Sequence, residues 1–307
     1  MTRVLVATEK PFAPVAVTSI KKIVEDAGFE LVLLEKYKDP ADLIKAASDV
    51  HALIIRSDLA SREVIQNAKN LKIIVRAGAG YDNIDLSAAT EKGIVAMNTP
   101  GQNANAVAEL ALGMMVYIAR NNFNGTSGTE LLEKSLGIHA YGNVGKRVAK
   151  IALGFGMKVS AYDPFVNKSD IEKDGVTCVT KINDLYSSCQ YISLHVPADK
   201  ETIKSINYDV LSRMPEGAVL VNTARKEVID EASLLKIMET RKDFRYASDM
   251  IPDCVAEFEQ KYKGRFFFTP KKMGAQTEEA NINAGVAAAH QIVRFFKTGD
   301  KTFQVNK

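Results

Sequence analysis

Several things are scarce in this 307-residue chain. Charge of one sign is balanced: 40 basic residues against 37 acidic ones leave a net charge of +3. The densest basic cluster is only Arg241 to Arg245, which reads as a solvated face and argues against nucleic acid as a partner. Long apolar runs are absent. The N-terminal run ends at Glu9, and the longest, Ala106 to Ala119, is interrupted by Glu109, so neither suits a signal peptide or a membrane span. The second of these reads as a buried helix. Cysteine occurs three times, at 178, 189 and 254, without metal-ligand spacing; no metal site is expected, and a reducing cytoplasm is the expected location. No internal repeat or low-complexity stretch occurs, and 9 prolines with 46% hydrophobic residues describe an ordinary globular protein.

What is present alternates. Short apolar runs such as "RVLVAT", "ELVLLE", "ALIIRS" and "LKIIVRAGAG" are separated by amphipathic stretches, the pattern of a parallel sheet with crossover helices. A second series, from about Leu136 to "RYASDM", repeats the arrangement. Two doubly wound α/β domains are therefore expected. The Pro-Gly turn at 100–101 leads into a long helix that carries the chain across, and the helix after Gly274 is expected to return to the first domain. The expected division is residues 1–100 with 275–307, a flavodoxin-like substrate domain, and 101–274, a Rossmann-type cofactor domain inserted into it.

The stretch "LGIHAYGNVGKRVAKIALGFGMKVSAYD" reads as strand, glycine turn, helix, strand and acid. In such a unit Gly142, Asn143, Val144 and Gly145 offer amides to a pyrophosphate, and Asp163 takes the ribose hydroxyls while repelling a 2′-phosphate. NAD is the expected cofactor. Ala140 stands where the first glycine of the fingerprint belongs, which is tolerable if its φ is negative.

The motifs "IIRSD", "IVRAGAGYDNIDLSAATEKGIVAMNTPG", "LVNTARKEVIDEASL" and "MGAQTEEAN" resemble the D-isomer-specific 2-hydroxyacid dehydrogenases over nearly the whole chain, and within them the branch acting on 3-phospho-D-glycerate at the start of serine biosynthesis. The resemblance implies that Arg225 holds the substrate carboxylate and carbonyl, where a guanidinium can make two parallel bonds. It further implies cofactor contacts from Val196, Thr223 and Asp249, and substrate contacts from Arg56, Arg76, the amides of Ala77 and Gly78, and Asn98. Ion pairing of the arginines with acids such as Asp58 is the structural alternative. A homodimer formed through the cofactor domains is implied as well. No regulatory domain is expected after "FQVNK".

The family's catalytic histidine is missing. Its slot, before "MGA", holds Lys272, and none of the histidines at 51, 139, 195 and 290 lies near it in sequence. His195 is a minor candidate to replace it. A lysine that is partly desolvated and repelled by Arg225 is expected to titrate lower than usual, so that it can take the hydroxyl proton in oxidation and return it in reduction. The carboxylate that usually orients the histidine is also missing, being Cys254, and Asp253 or Glu257 are possible stand-ins. Lys226 and Glu227 replace a glycine pair without an evident reason. Two other outcomes stay open: a dehydrogenase for glycerate, glyoxylate or lactate, and a non-catalytic NAD sensor that binds partners.

Overall fold

A computed structural model describes residues 1–306 and divides the chain into two compact units, residues 1–103 with 276–307 and residues 104–275. Among the described residues no helix is long and apolar enough to cross a membrane.

The first unit holds five parallel strands, β1 (Arg3–Thr8), β2 (Glu30–Glu35), β3 (Ala52–Ile55), β4 (Ile73–Arg76) and β5 (Val95–Asn98), in the order β2-β1-β3-β4-β5. The inner strands are apolar on both faces because helices cover both, whereas β2, at the edge, is only half-buried or exposed along its length. The helix Glu278–Thr298 is capped by the Thr277 hydroxyl, carries Glu278 and Glu279 in its first turn and ends at Gly299 in the left-handed conformation. Its buried Ala284, Ala288, Ala289 and Ile292 join Phe12, Ala16 and Ile20 in one core on a face of this sheet.

The second unit has seven parallel strands. They are β6 (Ser135–His139), β7 (Lys158–Tyr162), β8 (Thr177–Cys178), β9 (Tyr191–Leu194), β10 (Val219–Asn222), β11 (Arg245–Ser248) and β12 (Phe266–Phe268), ordered β12-β11-β10-β9-β6-β7-β8. The order reverses between β6 and β9, and such a switch point opens a crevice at the carboxyl ends of the strands. The apolar helix Ala104–Ala119 is buried through Ala108, Ala111, Leu112, Met115 and Ile118, while Glu109 stays exposed, so this stretch is a core helix.

Candidate active site

In the second unit the residues singled out from the sequence follow the carboxyl ends of successive strands: the glycine turn after β6, Asp163 after β7, Val196 after β9, Thr223 and Arg225 after β10, Asp249 after β11, and Lys272 after β12. The parallel topology makes this convergence, which no linear spacing displays.

The glycine turn fits a dinucleotide. The helix Asn143–Gly154 starts at Gly142 with no side chain capping its first amides, so these remain available to an anion. A Cβ on Gly145 would lie 2.3 Å from the Ala140 carbonyl oxygen, which is why only glycine lets helix and strand close here. Asp163 also holds the turn, because its Oδ2 accepts the Tyr141 amide at 2.8 Å and its Oδ1 the Phe165 amide at 2.8 Å. Ala140 departs from expectation. Its φ is +79°, in the left-handed region, so the turn keeps the shape a glycine would give it and alanine bears the strain.

Beneath the cofactor positions lies a histidine pair. Ser193 Oγ is 2.9 Å from His195 Nε2 and Thr223 Oγ1 is 3.5 Å from His195 Nδ1, so both ring nitrogens of His195 face hydroxyls of its own unit. His139 Nδ1 meets the Tyr186 hydroxyl at 3.2 Å. Burial pushes His139 down to about 4, opposed by Asp163, and pushes His195 down to about 3, helped by its neighbour His139. A buried ring with hydroxyls at both nitrogens reads as a structural element, which gives no support to His195 as the replacement base.

Arg225 and Lys272 meet on one atom. Arg225 Nη1 donates to the Ala224 carbonyl at 2.9 Å and Lys272 Nζ donates to the same oxygen at 3.1 Å. The carbonyl is aimed by Asn222, a fully buried residue whose Oδ1 accepts the Ala224 amide and whose Nδ2 donates to the Arg225 carbonyl, both at 2.9 Å. Asn222 was not anticipated, since its part depends on how the turn closes. Lys272 as a whole is exposed, so the desolvation expected for it is not supplied by this unit.

The suggested stand-in acids lie on the loop and the helix that follow β11. Asp253 is 78% exposed and pairs with Lys226 at 2.7 Å, which also gives Lys226 its reason for being there, and Glu257 is exposed. Glu231 instead clamps the loop, accepting the Asp253 and Cys254 amides at 2.9 Å each. Burial, reinforced by Glu231, pushes the Cys254 thiol up to about 12. Asp249 is fully buried and accepts from Thr269 Oγ1, the Met273 amide and the Gly274 amide at 3.0, 2.6 and 2.7 Å.

In the first unit Arg56, Arg76 and Asn98 stand at the ends of β3, β4 and β5. The Arg56 guanidinium donates to the carbonyls of Lys10 at 3.2 Å and Pro11 at 3.4 Å, makes a short bond to Asn281 Oδ1, and lies over the Phe12 ring. These acceptors are neutral. Asp58 takes the Arg56 backbone amide, the Glu9 amide and the Tyr37 hydroxyl instead, so pairing with Asp58 does not occupy the guanidinium. Arg76 Nε donates to the Arg56 carbonyl at 3.0 Å, which joins the two arginines through the backbone.

Two expectations fail here. The Ala77 amide continues the sheet ladder by donating to Ile55 O at 2.8 Å, and the Gly78 amide donates to Arg76 O at 2.9 Å, so neither is open to a carboxylate. The amides of Ala79 and Gly80, next in the turn, donate to no acceptor among the described residues. Asn98 is buried with its amide donating to Ala79 O at 2.6 Å; it braces that turn instead of facing a ligand.

Comparison with known proteins agrees with this geometry. Residues 108–262 match the family described as D-isomer specific 2-hydroxyacid dehydrogenase, NAD binding domain. The chain is 36% identical over 283 residues to a hydroxypyruvate reductase of Thermotoga maritima, covering 86% of this chain and 91% of that protein. It is 35% identical over 290 residues to a D-3-phosphoglycerate dehydrogenase of Methanocaldococcus jannaschii, covering 90% of this chain but 55% of that one, so it spans about half the length of such relatives. Among solved structures, that of NAD+-bound 3-phosphoglycerate dehydrogenase in Entamoeba histolytica is 50% identical with a TM-score of 0.88, covering 100% of this chain and 99% of the other. D-2-hydroxyisocaproate dehydrogenase, at 22% identity and a TM-score of 0.82 with 99% and 100% coverage, shares the fold. The chain belongs to the D-isomer specific 2-hydroxyacid dehydrogenases and carries their NAD-binding domain.

Proposed function

We propose that this protein oxidises 3-phospho-D-glycerate to 3-phosphohydroxypyruvate, the opening step of serine biosynthesis. The observation that carries the reading is the common acceptor of Lys272 Nζ and Arg225 Nη1, which holds a proton-exchanging amine and an oxygen-binding guanidinium within about 6 Å of each other. Bound NAD would supply the acceptor for the hydride at C2 of the substrate. The amine of Lys272 takes the hydroxyl proton as that C–H bond breaks, and in the reverse direction its ammonium returns it. Arg225 grips the substrate carboxylate and stays beside the C2 oxygen as its charge changes. The open amides of the glycine turn, Asp163, Val196 and Thr223 hold and orient the cofactor.

Arg56 and Arg76 are assigned to the substrate phosphate, and the amides of Ala79 and Gly80 to its carboxylate. The Arg56 guanidinium donates its hydrogen bonds to neutral oxygens, although Asp58 lies within electrostatic reach, and a buried cation bonded in this way favours an anion, which supports the phosphorylated substrate over glycerate, glyoxylate or lactate. The retained pair of cations argues against a purely NAD-sensing protein. A homodimer is part of the same reading, supported by exposed Phe123 and Leu132 in the second unit.

The test is NADH formation from 3-phosphoglycerate at alkaline pH. Lys272→Ala should lower kcat by about 10²- to 10⁴-fold, the usual worth of a positioned acid–base group. Arg56→Ala should raise KM for 3-phosphoglycerate by ~10-fold or more, as expected for a lost charged hydrogen bond, with little change for D-glycerate. Wild-type turnover in Lys272→Ala would remove the proposed base, and equal KM effects on both acids would remove the phosphate site.

A further inference from the structure

We propose that Asp249 is the positioning residue for Lys272, gripping the backbone on both sides of it and so replacing the orienting acid that Cys254 cannot supply. The proposal rests on the reading of Lys272 as the acid–base group. It begins with a difference between side chains. A histidine ring can be aimed by one hydrogen bond to its second nitrogen, whereas the donors of a lysine turn on a flexible four-carbon stem. Fixing the main chain from which a lysine springs narrows where its amine can reach, beside any acceptor that holds the amine itself.

Asp249 is placed to do this. It is fully buried, and its three donors bracket Lys272 in sequence: Thr269 Oγ1 before it, and the Met273 and Gly274 amides immediately after it. Amide bonds to a buried carboxylate are short and strong, and the 2.6 and 2.7 Å contacts have that character. Gly274 makes the approach possible, since a Cβ there would lie 2.9 Å from Asp249 Oδ2 and 3.2 Å from Val107 Cγ2.

The other end of the residue is tied to the arginine turn. The Asp249 amide donates to Asn222 O at 2.9 Å, and the Asn222 side chain closes the turn that carries Ala224 and Arg225. One continuous set of bonds therefore runs from the lysine's segment through Asp249 and Asn222 to the carbonyl that both cations share. Two of the three donors to Asp249 are main-chain amides, so this grip acts through the main chain.

The test uses Asp249→Asn and Thr269→Val in the full-length protein, with NAD affinity by calorimetry, steady-state kinetics, and amide exchange at Met273 and Gly274 without cofactor. Asparagine offers one acceptor oxygen where the carboxylate offers two, so at least one amide must let go. We expect at least one of the two amides to lose protection and kcat at saturating NAD to fall by about 10²-fold, the cost of displacing a catalytic group by around 1 Å. Thr269→Val, losing one neutral hydrogen bond, should show the same pattern with a kcat loss of about 5-fold, and it carries the test if the asparagine variant does not fold. Retained protection at both amides would overturn the proposal, whatever the change in NAD affinity. Lys272→Ala separates the two ideas: wild-type turnover there would refute the base, whereas the exchange data decide the grip of Asp249 independently.

Discussion

The histidine pair beneath the cofactor positions makes the stability of the second unit depend on mild acid in a calculable way. His139 is pushed from 6.5 to about 4 and His195 from 6.5 to about 3 by burial. In the unfolded chain both return to the ordinary value. As the pH falls through 6.5 the unfolded chain binds two protons that the folded unit refuses, so stability drops with pH, and it goes on dropping until His139 titrates near 4 and His195 near 3. Above 6.5 the pair has no effect. Each unit of difference is worth about 1.4 kcal/mol, so at pH 5 each histidine removes about 2 kcal/mol and the pair about 4 kcal/mol relative to pH 8. That is a large part of a typical stability of about 5–15 kcal/mol. The measurement is urea unfolding at pH 8 and pH 5, followed by the near-ultraviolet dichroism of the buried Tyr141, Tyr186, Tyr191 and Tyr246, all of which lie in this unit. A double variant, His139→Asn with His195→Gln, cannot titrate and should lose about 4 kcal/mol less than the wild type between the two pH values. The same loss in both proteins would refute the reasoning, because it would place the proton uptake on other groups.

Two further outcomes concern the glycine turn. Ala140→Gly should relieve a left-handed alanine, a gain of about 1–2 kcal/mol partly offset by the freer unfolded chain, and so raise Tm by about 2–4 °C in a thermal melt. A lowered Tm would mean that the methyl group's packing outweighs the strain. Gly145→Ala must push a Cβ away from the Ala140 carbonyl, 2.3 Å distant, and should weaken NAD binding by ~10-fold or more in calorimetry, since the pyrophosphate site depends on that close approach. Undiminished affinity would show that the turn opens without affecting the site.

Much of this protein is legible along the chain. Apolar runs between amphipathic stretches are local features, so two parallel α/β assemblies could be expected before any coordinates, and the glycine turn with Asp163 at its set distance marks the cofactor site because that motif is built from one contiguous βαβ segment. Arg225 and Lys272 were recognisable as odd or retained chemistry within short motifs. The errors share one cause. Ala77 and Gly78 were assigned from the motif around Arg76, yet whether an amide is open depends on where the ladder to β3 stops, and it runs one residue past β4. The backbone at Ala140, whose amide donates to Tyr162 O, and the donors gathered on Asp249 likewise depend on partners twenty or more residues away.

The amino-acid order by itself determined the kinds of group available: a lysine in the slot of a histidine, a cysteine in the slot of an acid, and an alanine in the slot of a glycine. The tertiary structure alone decided which of them share an atom. Ala224 O becomes the common acceptor of two cations 47 residues apart because β10, β11 and β12 lie side by side and release their carboxyl ends at one edge. Hydrogen bonds act over about 3 Å, and only folding brings residues so distant in sequence within that range.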